Sequence, residues 1–199
     1  MSGPPLLQVV LVSTRDHRHG PAVAAWFQPI AERHGAFAVE LVDLAEVNLP
    51  MLDEPNHPRL RNYQHDHTKA WSARVDRADA FVFVTPEYNF SAPPSLVNAL
   101  DYLLQEWAYK PVAFVSYGGV SGGTRSVQAT RGLISALRMV SMVEAVHLPF
   151  FTQQIDKATG EFRPPEAHEK AALAMLSELA RWEEALRGLR RAARESHRG

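Results

Sequence analysis

The chain predicts a doubly wound α/β sandwich, on three observations. Apolar, β-prone runs alternate with amphipathic stretches along the sequence, the pattern of a parallel sheet flanked by helices. One run, AFVFVT at 80–85, is continuously apolar over the length of a strand, as a strand buried on both faces should be. Chemically unusual loops follow the first, third and fourth runs, where such folds bind ligands, outside the carboxyl ends of the strands.

Residues 6–12 read as the first strand. Residues 20–34 follow as a helix, with Val23, Phe27 and Ile30 at helical spacing. A second strand is expected over 37–44. The stretch 48–67, rich in Pro, Asn and His, reads as a surface loop bordering the first strand's loop. A helix over 68–77 leads to the third strand at 80–85. The next helix is predicted over 93–107, with proline confined to its first turn. A strand over 111–117, a helix over 123–138 and a strand over 142–148 complete the alternation. A long C-terminal helix over 166–195 carries leucines on one face. The 199 residues suit one domain, 1–199.

Composition removes several functions. The chain has no cysteine, which excludes disulfide, zinc-thiolate, iron–sulfur and cysteine-nucleophile chemistry, so redox work needs a bound cofactor. The net charge is -1 and the pI about 6.8, giving no footprint for nucleic acid or an anionic membrane. No segment carries the apolar run of a membrane span, and the first residues lack the pattern of a signal peptide. The expectation is a cytoplasmic protein. His17, His19, His57, His65 and His67 match no metal-ligand spacing, so no metal is expected. Trp26, Trp71 and Trp182 read as helix packing residues. The arginines from Arg187 to Arg198 read as a solvated helix end.

The loop after the first strand runs Ser13-Thr14-Arg15-Asp16-His17-Arg18-His19-Gly20. Hydroxyls, guanidinium forks and the free N–H groups of a helix start suit a phosphate. Against this stands the plain reading of a polar helix cap. The loop after the third strand contains Pro86, Glu87, Tyr88, Asn89 and Phe90. Its prolines stiffen it, and its aromatics offer flat apolar surface to a planar ring. The loop after the fourth strand, from Ser116 and Tyr117 through Gly118 and Gly119 to Gly123, has four glycines in six residues, so backbone can approach a ligand closely.

Two other patterns overlap this third loop. A Walker-like glycine run lacks its lysine. Gly119-Val120-Ser121-Gly122-Gly123 fits the nucleophile elbow of hydrolases, with Asp156 and His168 following in order. A serine hydrolase built on Ser121 is therefore an alternative, although no HGGG-type oxyanion loop accompanies it.

Ser13-Thr14-Arg15 with Arg18-His19-Gly20 resembles the phosphate loop of the NAD(P)H-dependent FMN reductases. Pro86-Glu87-Tyr88-Asn89, continuing to Leu96-Val97-Asn98-Ala99-Leu100-Asp101, resembles that family's second signature, and Ser116-Tyr117-Gly118-Gly119 with Gly122-Gly123 its third. The resemblance implies a flavodoxin-like fold with strand order 2-1-3-4-5. It implies one FMN per subunit and two-electron transfer from NADPH or NADH, with NADPH favoured, to a small acceptor such as a flavin or quinone. It also implies a homodimer or homotetramer. By this pattern Ser13, Arg15, Arg18, His19 and Gly20 hold the phosphate. Pro86, Glu87, Tyr88 and Asn89 lie along the isoalloxazine, Phe90 completes an apolar wall, Tyr117, Gly118 and Gly119 meet the pyrimidine edge, and Ser116 counts among the cofactor-binding residues. No side chain is expected to act as an essential catalytic base, because the flavin carries the chemistry. A non-enzymatic flavodoxin-like electron carrier is the other reading, set against the near-neutral charge.

Overall fold

A computed structural model of the chain describes residues 3–196. Five parallel strands form one sheet: β1 (Leu6–Leu11), β2 (Ala38–Asp43), β3 (Ala80–Pro86), β4 (Pro111–Tyr117) and β5 (Val140–Leu148), in the order β2-β1-β3-β4-β5. The expected flavodoxin-like order is thus the observed one. The six α-helices among the described residues are α1 (Gly20–His34), α2 (Leu44–Val47), α3 (Asp66–Asp76), α4 (Pro94–Asp101), α5 (Thr124–Ala136) and α6 (Glu166–Ser196).

Strand alternation distributes the core. Val9, Leu11, Val82, Val84, Ala113 and Val115 point to one face, where Val23, Phe27 and Ile30 of α1 and Met175, Leu176 and Leu179 of α6 cover them. Val10, Val12, Phe81, Phe83, Val112 and Phe114 point to the other, against Trp71 and Val75 of α3, Leu96 and Leu100 of α4, and Val127 and Ile134 of α5. Every residue of β3 and β4 is buried, which is why both read as unbroken apolar runs.

Several boundaries depart from the sequence reading: α3 starts two residues early, at Asp66, and α5 ends two residues early, at Ala136. The helix expected over 93–107 stops at Asp101; a turn follows and a single 3₁₀ turn covers Gln105–Trp107. Leu103 is buried in the core beyond the helix end, so the apolar spacing ran on while the backbone did not. Leu96, Leu100 and Leu103 are core residues, each about 1% exposed. The fifth strand begins at Val140 rather than 142; its register shifts opposite Val112 and Phe114, where an irregularity obscures the alternation. Trp71 is buried and donates its indole N–H to the Ala99 carbonyl, whereas Trp182 is 40% exposed.

The 48–67 loop is pinned to α4. The Tyr102 hydroxyl shares its one proton between the Pro50 carbonyl (3.1 Å) and Asp53 (3.0 Å), and Asn98 donates to the Pro50 carbonyl (2.7 Å). His67 meets Asp53 at 3.0 Å and stacks on His65. Among the described residues no group of His, Asp and Glu is placed to hold a metal. At the far end of the molecule, buried Arg190 of α6 bonds Glu183 (2.5 Å) and Asp79 (3.2 Å), and Asp79 in turn accepts the Leu6 amide. Arg198 lies outside the described residues. No helix among them is long and apolar enough to cross a membrane.

Candidate functional site

The three loops singled out by the sequence converge at the carboxyl ends of β1, β3 and β4. A cavity of about 270 Å³ is lined by Arg15, Arg18 and His19 from the first loop, Pro86, Glu87 and Tyr88 from the second, and Tyr117, Gly118 and Gly119 from the third. A second concavity adjoins it, sharing Arg15, Glu87 and Tyr88 and adding Asn89, Ala92 and Pro94. Phe151, just after β5, closes the floor edge-on to Tyr117 and to His19, with centroids 4.9 and 5.4 Å apart. No local pattern in the sequence marked Phe151.

The first loop is a nest of unused donors. The amides from Thr14 to Gly20 make no backbone hydrogen bond of ordinary geometry, and Pro21 sits in the first turn of α1, so the loop leaves donors free at the positive end of the α1 dipole. The Ser13 hydroxyl is buried and lacks a hydrogen-bond partner. It stands beside the Tyr117 hydroxyl, close enough to favour the ionised phenol but short of the geometry of a full hydrogen bond. Burial drives the Tyr117 pKa up, so that phenol stays neutral and able to donate. Gly20 passes so close that a Cβ there would overlap Ser13 Oγ and stand 2.6 Å from Leu11 Cδ1.

The arginines divide. Arg15 is exposed, its guanidinium 5.1 Å from the centroid of the Tyr88 ring. Arg18 turns its fork to Asp43 at the end of β2, at 2.6 and 2.5 Å, and also donates to the Ser13 carbonyl. Its pKa is raised by this bond to Asp43.

The second loop is a tight hairpin. Tyr88 and Ser91 exchange backbone bonds (3.1 and 2.9 Å) around Asn89 (φ 50) and Phe90 (φ 66), the geometry of a type I′ turn. A bulky aromatic in the left-handed region is rare and costs about 1–2 kcal/mol. Phe90 is 69% exposed and carries the Arg125 guanidinium 3.8 Å from its ring centroid.

The Glu87 carboxylate faces the third loop. It accepts from Ser121 Oγ (2.8 Å), the Arg125 amide (3.1 Å) and Arg125 Nε (2.6 Å), capping the start of α5. Burial alone would raise its pKa, but the bonds from Arg125 and Ser121 outweigh burial and hold it below the ordinary glutamate value. A depressed carboxyl pKa contributes stability above the unfolded value that is lost as pH falls through the folded one, so this clasp is complete at neutral pH and opens only in acid, below the ordinary glutamate range. Glu87→Ala is expected to raise amide hydrogen exchange in residues 86–91 and 118–123 together, by about tenfold. Faster exchange in one loop alone would show that no clasp joins them. Ser116 is fully buried, with its hydroxyl on the Gly122 carbonyl (2.7 Å) rather than in the cleft.

This arrangement dismantles the Ser121 hydrolase alternative. Ser121 donates to Glu87. Asp156 accepts the amides of Ala158 and Thr159, and His168 Nδ1 meets the Pro165 carbonyl. Each prospective triad member is bonded elsewhere.

Comparison with known proteins is consistent with the cleft. The sequence pattern of the NADPH-dependent FMN reductase family matches residues 7–153, a span that contains all three loops. A Schizosaccharomyces pombe NAD(P)H-dependent FMN reductase is 40% identical over 149 residues, 73% of this chain and 74% of that protein. A Nectria sp NAD(P)H-dependent FMN reductase is 33% identical over 150 residues, covering 72% and 75%. In fold, the chain matches a flavoenzyme NAD(P)H:(acceptor) oxidoreductase from Paracoccus denitrificans with a TM-score of 0.71, at 21% identity over 91% of this chain and 98% of that one. On the match over residues 7–153, this chain belongs to the NADPH-dependent FMN reductase family.

Proposed function

We propose that the three-loop cleft holds FMN and that the protein passes two electrons from NAD(P)H to a flavin or quinone acceptor. The observation that carries this reading is the buried, unpartnered Ser13 hydroxyl set among the unused amides of Thr14 to Gly20. An orphaned donor inside a nest of N–H groups is costly unless an anion completes it. The dianionic phosphate of FMN has the charge and acceptor count to do so. FMN, when bound, supplies the hydride chemistry.

The chain's own groups divide the remaining work. The amides of Thr14 to Gly20, the Ser13 hydroxyl and Arg15 hold the phosphate. Arg18 buttresses the loop from behind through Asp43, and adds positive charge without spending its fork on the ligand. Pro86 and Tyr88 form one wall for the ring system, and Tyr117, Gly118 and Gly119 form its polar edge. The amides of Gly119 and Val120 have no acceptor among the described residues, and donors so placed favour negative charge on whatever edge they face. Glu87 stays ionised in its clasp and takes no proton; no side chain is assigned the part of a base. Homologues named NADPH:quinone oxidoreductase, such as one from Arabidopsis thaliana at 34% identity over 101 residues, support a small aromatic acceptor. The reading extends to a homodimer or homotetramer working in the cytoplasm.

The test is an absorbance spectrum of the purified protein after adding FMN and removing the excess. Retained flavin bands that bleach under anaerobic NADPH, and return when a quinone is added, are expected. A protein that retains no flavin at saturating FMN would overturn the proposal.

A further inference from the structure

The third loop is held from beneath by a residue that none of the three loops contains. Ser116 of β4 lies beside His147 of β5 in the parallel register. Ser116 Oγ is 2.7 Å from the Gly122 carbonyl oxygen and 2.7 Å from His147 Nδ1. A hydroxyl has one proton to give, and a carbonyl can only accept. The Ser116 proton therefore points at Gly122, and the Ser116 oxygen must accept from His147. The reverse assignment would set two bare lone pairs against each other in the interior, at the cost of an unmade buried bond. Donor bookkeeping alone thus fixes the proton of this ring at Nδ1, the tautomer that free histidine disfavours.

The chain of contacts runs on to the cleft. Gly122 and Gly123 adopt φ of 58 and 84°, and a Cβ on Gly123 would stand 2.8 Å from Ser116 Cβ and 2.9 Å from the Tyr117 amide nitrogen. The turn is pressed onto the strand ends with no slack. Gly122 N–H donates to the Gly119 carbonyl (3.1 Å), which also accepts from Phe150 (3.0 Å). Ser116 thus holds the peptide after Gly122, the Gly122 N–H in the peptide before it holds the Gly119 carbonyl, and the Gly122 dihedrals link the two. Burial, aided by Arg131, lowers the His147 pKa, consistent with a neutral ring.

We propose that His147 is a positioning residue for the flavin: as the Nδ1–H tautomer it donates to Ser116, which orients Gly122 and so sets the Gly118–Gly119 edge of the cleft. The proposal rests on the reading of that cleft as the FMN site. His147 touches no ligand itself and acts through Ser116.

Long-range ¹H–¹⁵N spectra of the protein before and after FMN is added, at about pH 8, above the ordinary histidine range, test the tautomer. The His147 resonances are assigned by their disappearance in His147→Asn. A protonated Nδ1 with a bare Nε2 is expected; a protonated Nε2 overturns the proposal. The second arm is FMN affinity. His147→Leu leaves Ser116 without its donor and is expected to weaken FMN about tenfold. His147→Asn puts an amide N–H close to the position of Nδ1 and should stay within about twofold of wild type. Equal losses in the two variants would reduce the residue to packing and overturn the positioning role. Wild-type protein with the Nδ1–H tautomer but no bound FMN would overturn the flavin reading, and the role with it. The wrong tautomer in a protein that binds FMN would overturn the role of His147 alone.

Discussion

Gly20→Ala is expected to abolish FMN retention while leaving a folded protein. The added methyl would overlap Ser13 Oγ and stand 2.6 Å from Leu11 Cδ1 and 2.8 Å from the Tyr117 hydroxyl. Leu11 is a packed core residue of β1, so the relief falls on Ser13 and on the start of α1. Overpacking of this kind costs about 1–3 kcal/mol, and displaced donors lose charge-assisted bonds of about 1.5–3 kcal/mol each. Together they predict an affinity loss of about a hundredfold or more. Ser13→Ala is the gentler control. It removes one donor, so FMN should weaken about tenfold, yet the apoprotein should not lose thermal stability, because the deleted hydroxyl has no partner there. Titration of FMN fluorescence and apoprotein melting measure both. Wild-type affinity in Gly20→Ala would place the phosphate somewhere other than this loop.

Arg190→Ala should produce a large loss of stability. Arg190 and Glu183 have side chains only 4% and 2% exposed, bonded at 2.5 Å. Arg190 also reaches Asp79 and the Tyr109 carbonyl, joining the far part of α6 to the segments that enter β3 and β4. Removing one partner of a buried pair strands the other, at about 3–5 kcal/mol; Arg187 also bonds Glu183, which places the expectation near the lower figure. For a chain of this size that is a fall of about 6–12 °C in melting temperature. Arg163→Ala removes an exposed pair with Glu161, 62% and 58% exposed, and should change stability by less than about 1 kcal/mol. Similar shifts in the two variants would mean that the buried cluster is no anchor.

The legible parts of this chain were those in which one residue's neighbours in sequence decide its environment. β4 and α1 match their predicted bounds, the first as a run buried on both faces and the second from its apolar spacing, even with Pro29 inside the helix. The end of α4 was not legible, because Leu103 keeps the apolar rhythm after the backbone has turned. In the cleft, the sequence indicated the three loops, and the fold brings them together. It gave no sign of where the charged side chains turn. Arg18 and Asp43 are 25 positions apart, and Glu87 and Arg125 are 38 apart. Nothing local distinguishes a carboxylate that faces a ligand from one that caps a distant helix. His147 and Phe151 were invisible for the same reason: each matters through a register or a crossing that only the folded sheet creates.

The Glu87 clasp makes the second and third loops one part rather than two. Its three bonds run from residue 87 to residues 121 and 125, and Arg125 also covers Phe90 at the hairpin tip. Transplanting residues 86–91 from a relative with a different acceptor would import a wall without its hinge-pin, and the grafted hairpin would have nothing to seat against. The transferable module is 86–91 together with 118–125, exchanged as a pair. The first loop, braced separately through Arg18 and Asp43, can stay behind. Acceptor preference in this scaffold should therefore change by paired-loop exchange, with phosphate anchoring inherited intact.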